Sequence, residues 1–220
     1  MSWLRDNGLS ITLFVLFAIT VIGHGWAGWI AHNEDLLRDG GAALTLVNYR
    51  TSAQFGSTLF ENWESEFLQM ATYVILTAYL FQRGSPESKD PDEKAPQDRD
   101  PKADENKPDA PWPVRAGGLT RTVYAHSLGL ALVLLFLASF VLHWVNSTRD
   151  ASDEALLHGE APPTLIEHLG SAELWFESFQ NWQSEFLSTA VLIVLAIYLR
   201  ERGSPESKPV GAPHSQTGTD

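Results

Sequence analysis

The 220-residue sequence contains no cysteine. No disulfide can hold an external segment together, so stability has to come from packed helices. It also lacks any H-x-x-E-H, E-x-x-H or C-x-x-C-H pattern, any nucleophile elbow around a serine, and any glycine-rich phosphate loop after a strand. The usual sequence signatures of metal, haem, acyl-transfer and nucleotide chemistry are therefore missing. Basic residues are few, 15 Lys and Arg against 27 Asp and Glu, for a formal charge of -12. Where charge is dense it is mixed in sign, which excludes a basic patch suited to nucleic acid.

What the chain does hold is four apolar blocks with most of its charge between them, the distribution of a membrane protein. Leu9 to Ala31 (LSITLFVLFAITVIGHGWAGWIA) has no acidic residue, Lys or Arg. At about 1.5 Å per residue a helix needs about 20 residues to cross roughly 30 Å of hydrocarbon, so this block is long enough to span. Ser127 to Val145 (SLGLALVLLFLASFVLHWV) meets the same test. Phe67 to Gln82 and Phe186 to Leu199 become long enough only if the NWESEF and NWQSEF stretches that open them are helical. The first block is read as a span and not as a signal peptide. It exceeds the usual apolar region of about 7 to 15 residues, and no A-x-A-like site follows it.

A shift of 119 positions superposes the two halves without a gap, and 18 of 30 positions between Phe60 and Lys89 are identical to their partners between Phe179 and Lys208. RGSPESK recurs whole, at Arg83 to Lys89 and Arg202 to Lys208, and the same offset pairs His24 with His143 and Thr45-Leu46 with Thr164-Leu165. Each repeat is a two-helix hairpin that crosses twice, so both share one orientation about a pseudo-two-fold axis along the membrane normal. Twelve Lys and Arg fall on the side of the N-terminus, the 82 to 123 connection and the tail, against three (Arg38, Arg50, Arg149) opposite. That asymmetry predicts cytoplasmic termini.

The predicted architecture is all-α: a membrane four-helix bundle of two tandem two-helix repeats in parallel orientation. Repeat one covers 1 to 89, with spans over about 9 to 31 and 63 to 82, and repeat two covers 116 to 208, with spans over about 125 to 146 and 182 to 200. The Pro- and charge-rich 90 to 115 connection and the 209 to 220 tail are predicted to be disordered, too poor in apolar surface to offset chain entropy. Ser171 is placed to cap a long fourth helix, whereas Thr58 and Glu61 can form a capping box that breaks the second helix at that point.

Asn62, Glu66, Gln69 and Tyr73 share one helix face and Trp63 and Phe67 the next, with Asn181, Glu185 and Trp182 equivalent in repeat two. Trp at headgroup depth and Glu near a helix N-terminus account for much of this, and with Ser65 and Ser184 they read as a structural or interface motif. Glu66 and Glu185 are kept in both repeats, while Glu61 and Glu64 become Gln180 and Gln183. His24 enters its span by about 15 residues, roughly 22 Å deep, and His143 takes the same depth. Two His and two Glu are thus predicted in one layer if they face inward. Such a set can bind a divalent metal ion or move protons, and the two His can ligate a haem. With no ligand pattern behind them, no resident cofactor is predicted. His32, His126, His158, His168 and His214 are not repeated and read as surface residues.

In RGSPESK, Arg83 and Arg202 anchor each helix end in the headgroups and complement its negative pole, Gly ends the helix, and Pro prevents its continuation. The E-S-K part has no such account. With its LRDNGLS start, duplicated NWxSEF and RGSPESK exits, the chain resembles a family of small bacterial membrane proteins known as a domain of unknown function. The resemblance implies a bacterial inner-membrane location and adds no catalytic residue. The leading reading is a non-enzymatic accessory or scaffold component whose partners are the lipid bilayer and either another membrane protein or a second copy of itself. A small transporter or ion-conducting protein with a polar site at Glu66, Glu185, His24 and His143 is the alternative, and a haem- or metal-binding membrane protein the third.

Overall fold

The structure, a computed structural model, describes residues 2–218. Nine α-helices and no strand occur among them: α1 (Ser2–Asp6), α2 (Gly8–Arg38), α3 (Leu46–Arg50), α4 (Ala53–Thr77), α5 (Trp112–Ala116), α6 (Gly118–Ala125), α7 (Ser127–Leu157), α8 (Leu165–Leu169) and α9 (Ala172–Tyr198). The chain is therefore all-α. Only α2 and α7 are long and apolar enough to cross a membrane. The other two long helices, α4 and α9, carry Glu61, Glu64 and Glu66 or Glu173, Glu177 and Glu185, which dilutes their apolar runs.

Element boundaries recur at the spacing of the sequence repeat. Gly8–Arg38 becomes Ser127–Leu157, Leu46–Arg50 becomes Leu165–Leu169, and α4 and α9 begin at Ala53 and Ala172. The local chemistry at the ends explains this. After α2, Gly40 takes a φ of 80° and Gly41 N–H reaches back to the Leu36 carbonyl at 2.7 Å. After α7, Gly159 takes a φ of 74° and Glu160 N–H reaches the Ala155 carbonyl at 2.8 Å. A left-handed residue after the last turn satisfies carbonyls that the helix leaves free, and glycine takes that conformation without a Cβ clash.

The starts are matched too. Ser52 Oγ accepts from Phe55 N–H and Ser171 Oγ from Leu174 N–H, each at 3.3 Å, so both long helices have a serine cap. The Ser171 cap is the one expected from sequence. A break at Thr58 is not found: Ser52 supplies the cap six residues earlier, and Thr58 lies inside α4 with its hydroxyl on the Gln54 carbonyl at 3.1 Å. Thr45 and Thr164 cap the short helices α3 and α8, and at α8 Glu167 completes a capping box by accepting from Thr164 N–H at 2.8 Å.

The described chain divides into two compact units, one holding the residues up to Glu61 with Val141–Leu174, the other Asn62–Phe140 and the residues from Trp175 on. In the first, α3 packs on α2: Trp29 Nε1 donates to the Leu44 carbonyl at 2.7 Å, and Asn33 brackets the same peptide by accepting from its N–H and donating to its carbonyl. Tyr49 of α3 is buried against α2, and a Cβ placed on Gly28 would run into its hydroxyl. Ser147 and His168 take the equivalent positions in α7 and α8, where Ser147 Oγ and His168 Nε2 lie 2.8 Å apart. One pair is small against large, the other a hydrogen bond. His168 is accordingly buried and not a surface residue.

In the second unit, residues 90 to 111 take turns with two short 3-10 segments at Pro96–Asp98 and Pro101–Asp104. Mixed charge is used locally, in the pairs Lys89–Asp98 at 2.6 Å, Lys107–Asp104 at 2.7 Å and Arg121–Glu105 at 3.0 Å.

Candidate functional site

The side chain that stands out in the second unit is Glu64, fully buried on α4. Its Oε1 accepts hydrogen bonds from Ser178 Oγ at 2.8 Å and from Trp182 Nε1 at 3.1 Å, both on α9. A carboxylate withdrawn from water is tolerated only when its oxygens are hydrogen-bonded, so these two donors have a direct energetic role. Around them stands an aromatic cluster: Trp182 meets Phe179 at 5.4 Å and Phe136 at 6.1 Å between ring centres, and Trp175 meets Phe140 at 6.0 Å. Rings packed in this way exclude water while leaving the indole N–H free to donate.

Sequence reasoning chose a different face of α4. The buried positions on this helix are Ser57, Glu61, Glu64, Ser65 and Ala71, at helical spacing, whereas Asn62 and Glu66 are exposed. The two unrepeated glutamates, Glu61 and Glu64, are the buried ones. A signal was present in the sequence: Ser57, Glu61, Glu64 and Ser65 are polar at i, i+4, i+7 and i+8, a stripe that points to one wet or buried helix face.

The four residues expected to form one layer are placed as follows. His24 Nε2 lies 3.1 Å from Thr58 Oγ1, with its ring 5.2 Å from that of Phe55, and His143 is fully buried; both belong to the first unit. Glu66 and Glu185, exposed and half-buried, belong to the second. No group of three or more His, Asp or Glu side chains arranged to hold a metal ion occurs among the described residues.

The rest of NWxSEF is helix-internal. Ser65 Oγ and Ser184 Oγ each donate to the carbonyl three residues back, Asn62 and Asn181, at 2.8 Å. Asn181 Nδ2 donates to the Glu177 carbonyl, and Trp63 is half-buried. Lower on the same α4 face, Gln69 Nε2 donates to Thr189 Oγ1 and Tyr73 Oη donates to Glu87 Oε2.

The E-S-K part of the exit motif now has a physical account. Ser85 Oγ accepts from Glu87 N–H and Ser204 Oγ from Glu206 N–H, both at 3.2 Å. Ser88 Oγ accepts from Gln82 N–H at 2.9 Å and Ser207 Oγ from Glu201 N–H at 3.0 Å, so each loop is closed by its two serines. The lysines differ. Lys89 Nζ donates to the Ala78 carbonyl at 2.9 Å and to Asp98. Lys208, almost wholly buried, places its ammonium among the carbonyls of Gly84 at 2.6 Å, Pro213 at 3.3 Å, and His214 and Gln216 at 3.0 Å. Burial and, next, the nearby Arg200 push its pKa down. At the end of α9 it is Arg200, not the exposed Arg202, that binds the last carbonyls, with Leu199 at 2.7 Å and Ile197 at 3.1 Å. Arg83 pairs with Asp92 at 2.8 Å, in the open.

Fold and site together define an all-helical protein with two helices fit to cross a membrane and a buried, hydrogen-bonded carboxylate. The chain belongs to the family described as a domain of unknown function (DUF6766), which matches residues 1–219. No curated protein and no solved structure matches it.

Proposed function

We propose that this chain is a multi-pass protein of the bacterial inner membrane, a four-helix bundle of two tandem hairpins with both termini cytoplasmic, and that it acts without catalysis as an accessory or scaffold component. One observation carries the reading. Only 6% of the apolar stretch of α2 and 17% of that of α7 is buried within the protein. Core helices of a soluble protein would be largely covered, and α7 is far from the N-terminus, where a leader would lie. Exposed faces such as Phe14, Ile19, Leu128, Leu134 and Val141 need an apolar solvent, which lipid supplies. Recurring helix boundaries support two equivalent hairpins, and the twelve-to-three distribution of Lys and Arg supports the orientation.

The absence of native cysteine provides the test. Single cysteines introduced as Asp39→Cys and Asp153→Cys should be labelled in intact cells by a membrane-impermeant maleimide, and Lys94→Cys only after lysis. Extraction of the protein by alkaline carbonate, or the reverse labelling pattern, would sink the reading. A second reading, a small ion- or proton-coupled transporter, is favoured by Glu64, because ionisable groups within a membrane bundle commonly mark ion pathways. Its centre would be Glu64 and not the four-residue layer. Ion flux in proteoliposomes lost on Glu64→Gln separates it from the scaffold reading.

A further inference from the structure

Each repeat folds a short helix back along its long one, and the contacts fix how far down it reaches. In repeat one, α3 lies against the last turns of the apolar block Leu9 to Ala31. Trp29 Nε1 donates to the Leu44 carbonyl just ahead of α3, and Tyr49 fits against Gly28. The Arg50 guanidinium covers the buried Gly25, where a Cβ would meet Nε at 3.0 Å. In repeat two, Trp144 Nε1 donates to the Leu165 carbonyl of α8 at 2.9 Å, and Ser147 meets His168. That places α8 against the end of the apolar block that closes at Val145. Both short helices thus occupy the layer in which the long helices leave their apolar blocks. Trp marks this layer, as Trp26 and Trp29 in one repeat and Trp144 in the other. With an apolar body and a satisfied indole N–H, Trp is the side chain that settles at headgroup depth.

The outward face of these helices is apolar at one equivalent position. Val47 is 71% exposed and Ile166 81%, and the offset of 119 relates them. Tyr49 and His168, two residues further on, are buried. Two residues turn a helix by about 200°, so Val47 and Ile166 point away from the long helix on which their neighbours pack. Between the repeats the buried residue changes from Tyr to His and the one before it from Asn48 to Glu167, yet the exposed position keeps a β-branched aliphatic side chain. Charge agrees with this placement. Glu167 is turned back onto the Thr164 N–H, and α3 has no acidic residue and ends in Arg50. Arginine rests its stem on apolar surface and keeps its head at headgroup level. We propose that α3 and α8 are interfacial helices, lying in the bilayer boundary on the side away from the termini with Val47 and Ile166 inserted among lipid acyl chains. Lipid is the occupant because Trp26 and Ile30, exposed on α2 at the same level, require the same apolar solvent. Such a placement rests on α2 being a span, as proposed above, and adds what covers the short helices.

With no native cysteine to remove, single nitroxide labels provide the test. Val47→Cys and Ile166→Cys are labelled in the full-length protein in nanodiscs of phosphatidylethanolamine and phosphatidylglycerol. Ile19→Cys, in the middle of the α2 block, and Asp39→Cys, just after α2, serve as references. Oxygen partitions into lipid and a nickel chelate into water, so the ratio of their collision rates with the label reads its depth. Labels at 47 and 166 should lie about 5–10 Å below the phosphates, between the two references, as on an interfacial helix. A label at 19 in lipid with those at 47 and 166 as wet as the one at 39 would overturn the interfacial helices and leave the span standing. Labels at 47 and 166 reached by neither reagent would put a second copy or another protein on this face, which overturns them as well. Nickel access at 19 would remove the span and the interfacial helices with it.

Discussion

Ser178 Oγ donates to Glu64 Oε1 across 2.8 Å, joining two fully buried side chains, one on α9 and one on α4. Trp182 adds a second donor to the same oxygen. Replacing Glu64 by Ala leaves the buried Ser178 hydroxyl without this acceptor, at a cost of about 1–3 kcal/mol, and takes the same acceptor from the half-buried Trp182 indole. Glu64→Gln keeps an acceptor oxygen in the same place and should lose much less. Thermal unfolding of the purified protein distinguishes them: the Ala variant should melt well below the Gln variant, and equal midpoints would remove the structural role assigned to this carboxylate.

Gly28 and Tyr49 make a contact that tolerates no Cβ. Gly28→Ala should destabilise by about 1–3 kcal/mol, the usual cost of overpacking a tight contact. Tyr49→Phe removes the atom in the way, so the double variant should recover most of that loss. A double-mutant cycle with no coupling would show that the close approach is unimportant.

Lys208 is held by backbone carbonyls alone in the contacts described, and its methylene stem is buried with it. Lys208→Met fills the space but cannot donate. The segment beyond residue 208 should then be cut by trypsin-independent proteases at least several-fold faster than in the native protein, because its ties to the first exit loop are weakened. Unchanged cleavage would mean that the segment is held by Thr217 and Gly218 alone.

At α8 the capping box predicts an acid response. Backbone and hydroxyl hydrogen bonds from Thr164 hold the Glu167 carboxyl below its usual range. A depressed folded value contributes stability above the unfolded value of about 4.3 and loses it as pH falls through the folded one. Thr164→Ala should therefore lower the melting midpoint at neutral pH, and the gap from the native protein should narrow as pH falls below 4 or so. Thr45→Ala, which removes a cap without a glutamate partner, should show no such narrowing.

The repeat shows where sequence is a sufficient guide. An offset of 119 positions predicted equivalent helices, and the caps at Ser52 and Ser171, the glycines at 40 and 159 and the serine-closed loops at 85 and 204 obey it because each is a local matter of backbone hydrogen bonds. Thr58 misled because a capping-box pattern inside a helix looks the same as one at its start. Only the serine six residues earlier decides between them. The lysines of the two RGSPESK copies lie beyond what a repeat can foretell: identical residues meet Asp98 in one loop and a ring of carbonyls in the other.

The sequence by itself determined the helical class, the two strongly apolar helices, the duplicated boundaries and the polar stripes, since these follow from composition and spacing along the chain. Only the tertiary structure decided which stripe is buried. Glu64 and Glu66 lie two positions apart on one helix, and periodicity cannot say which of them meets Ser178 and Trp182 and which meets solvent, because that depends on the rotation of α4 against α9.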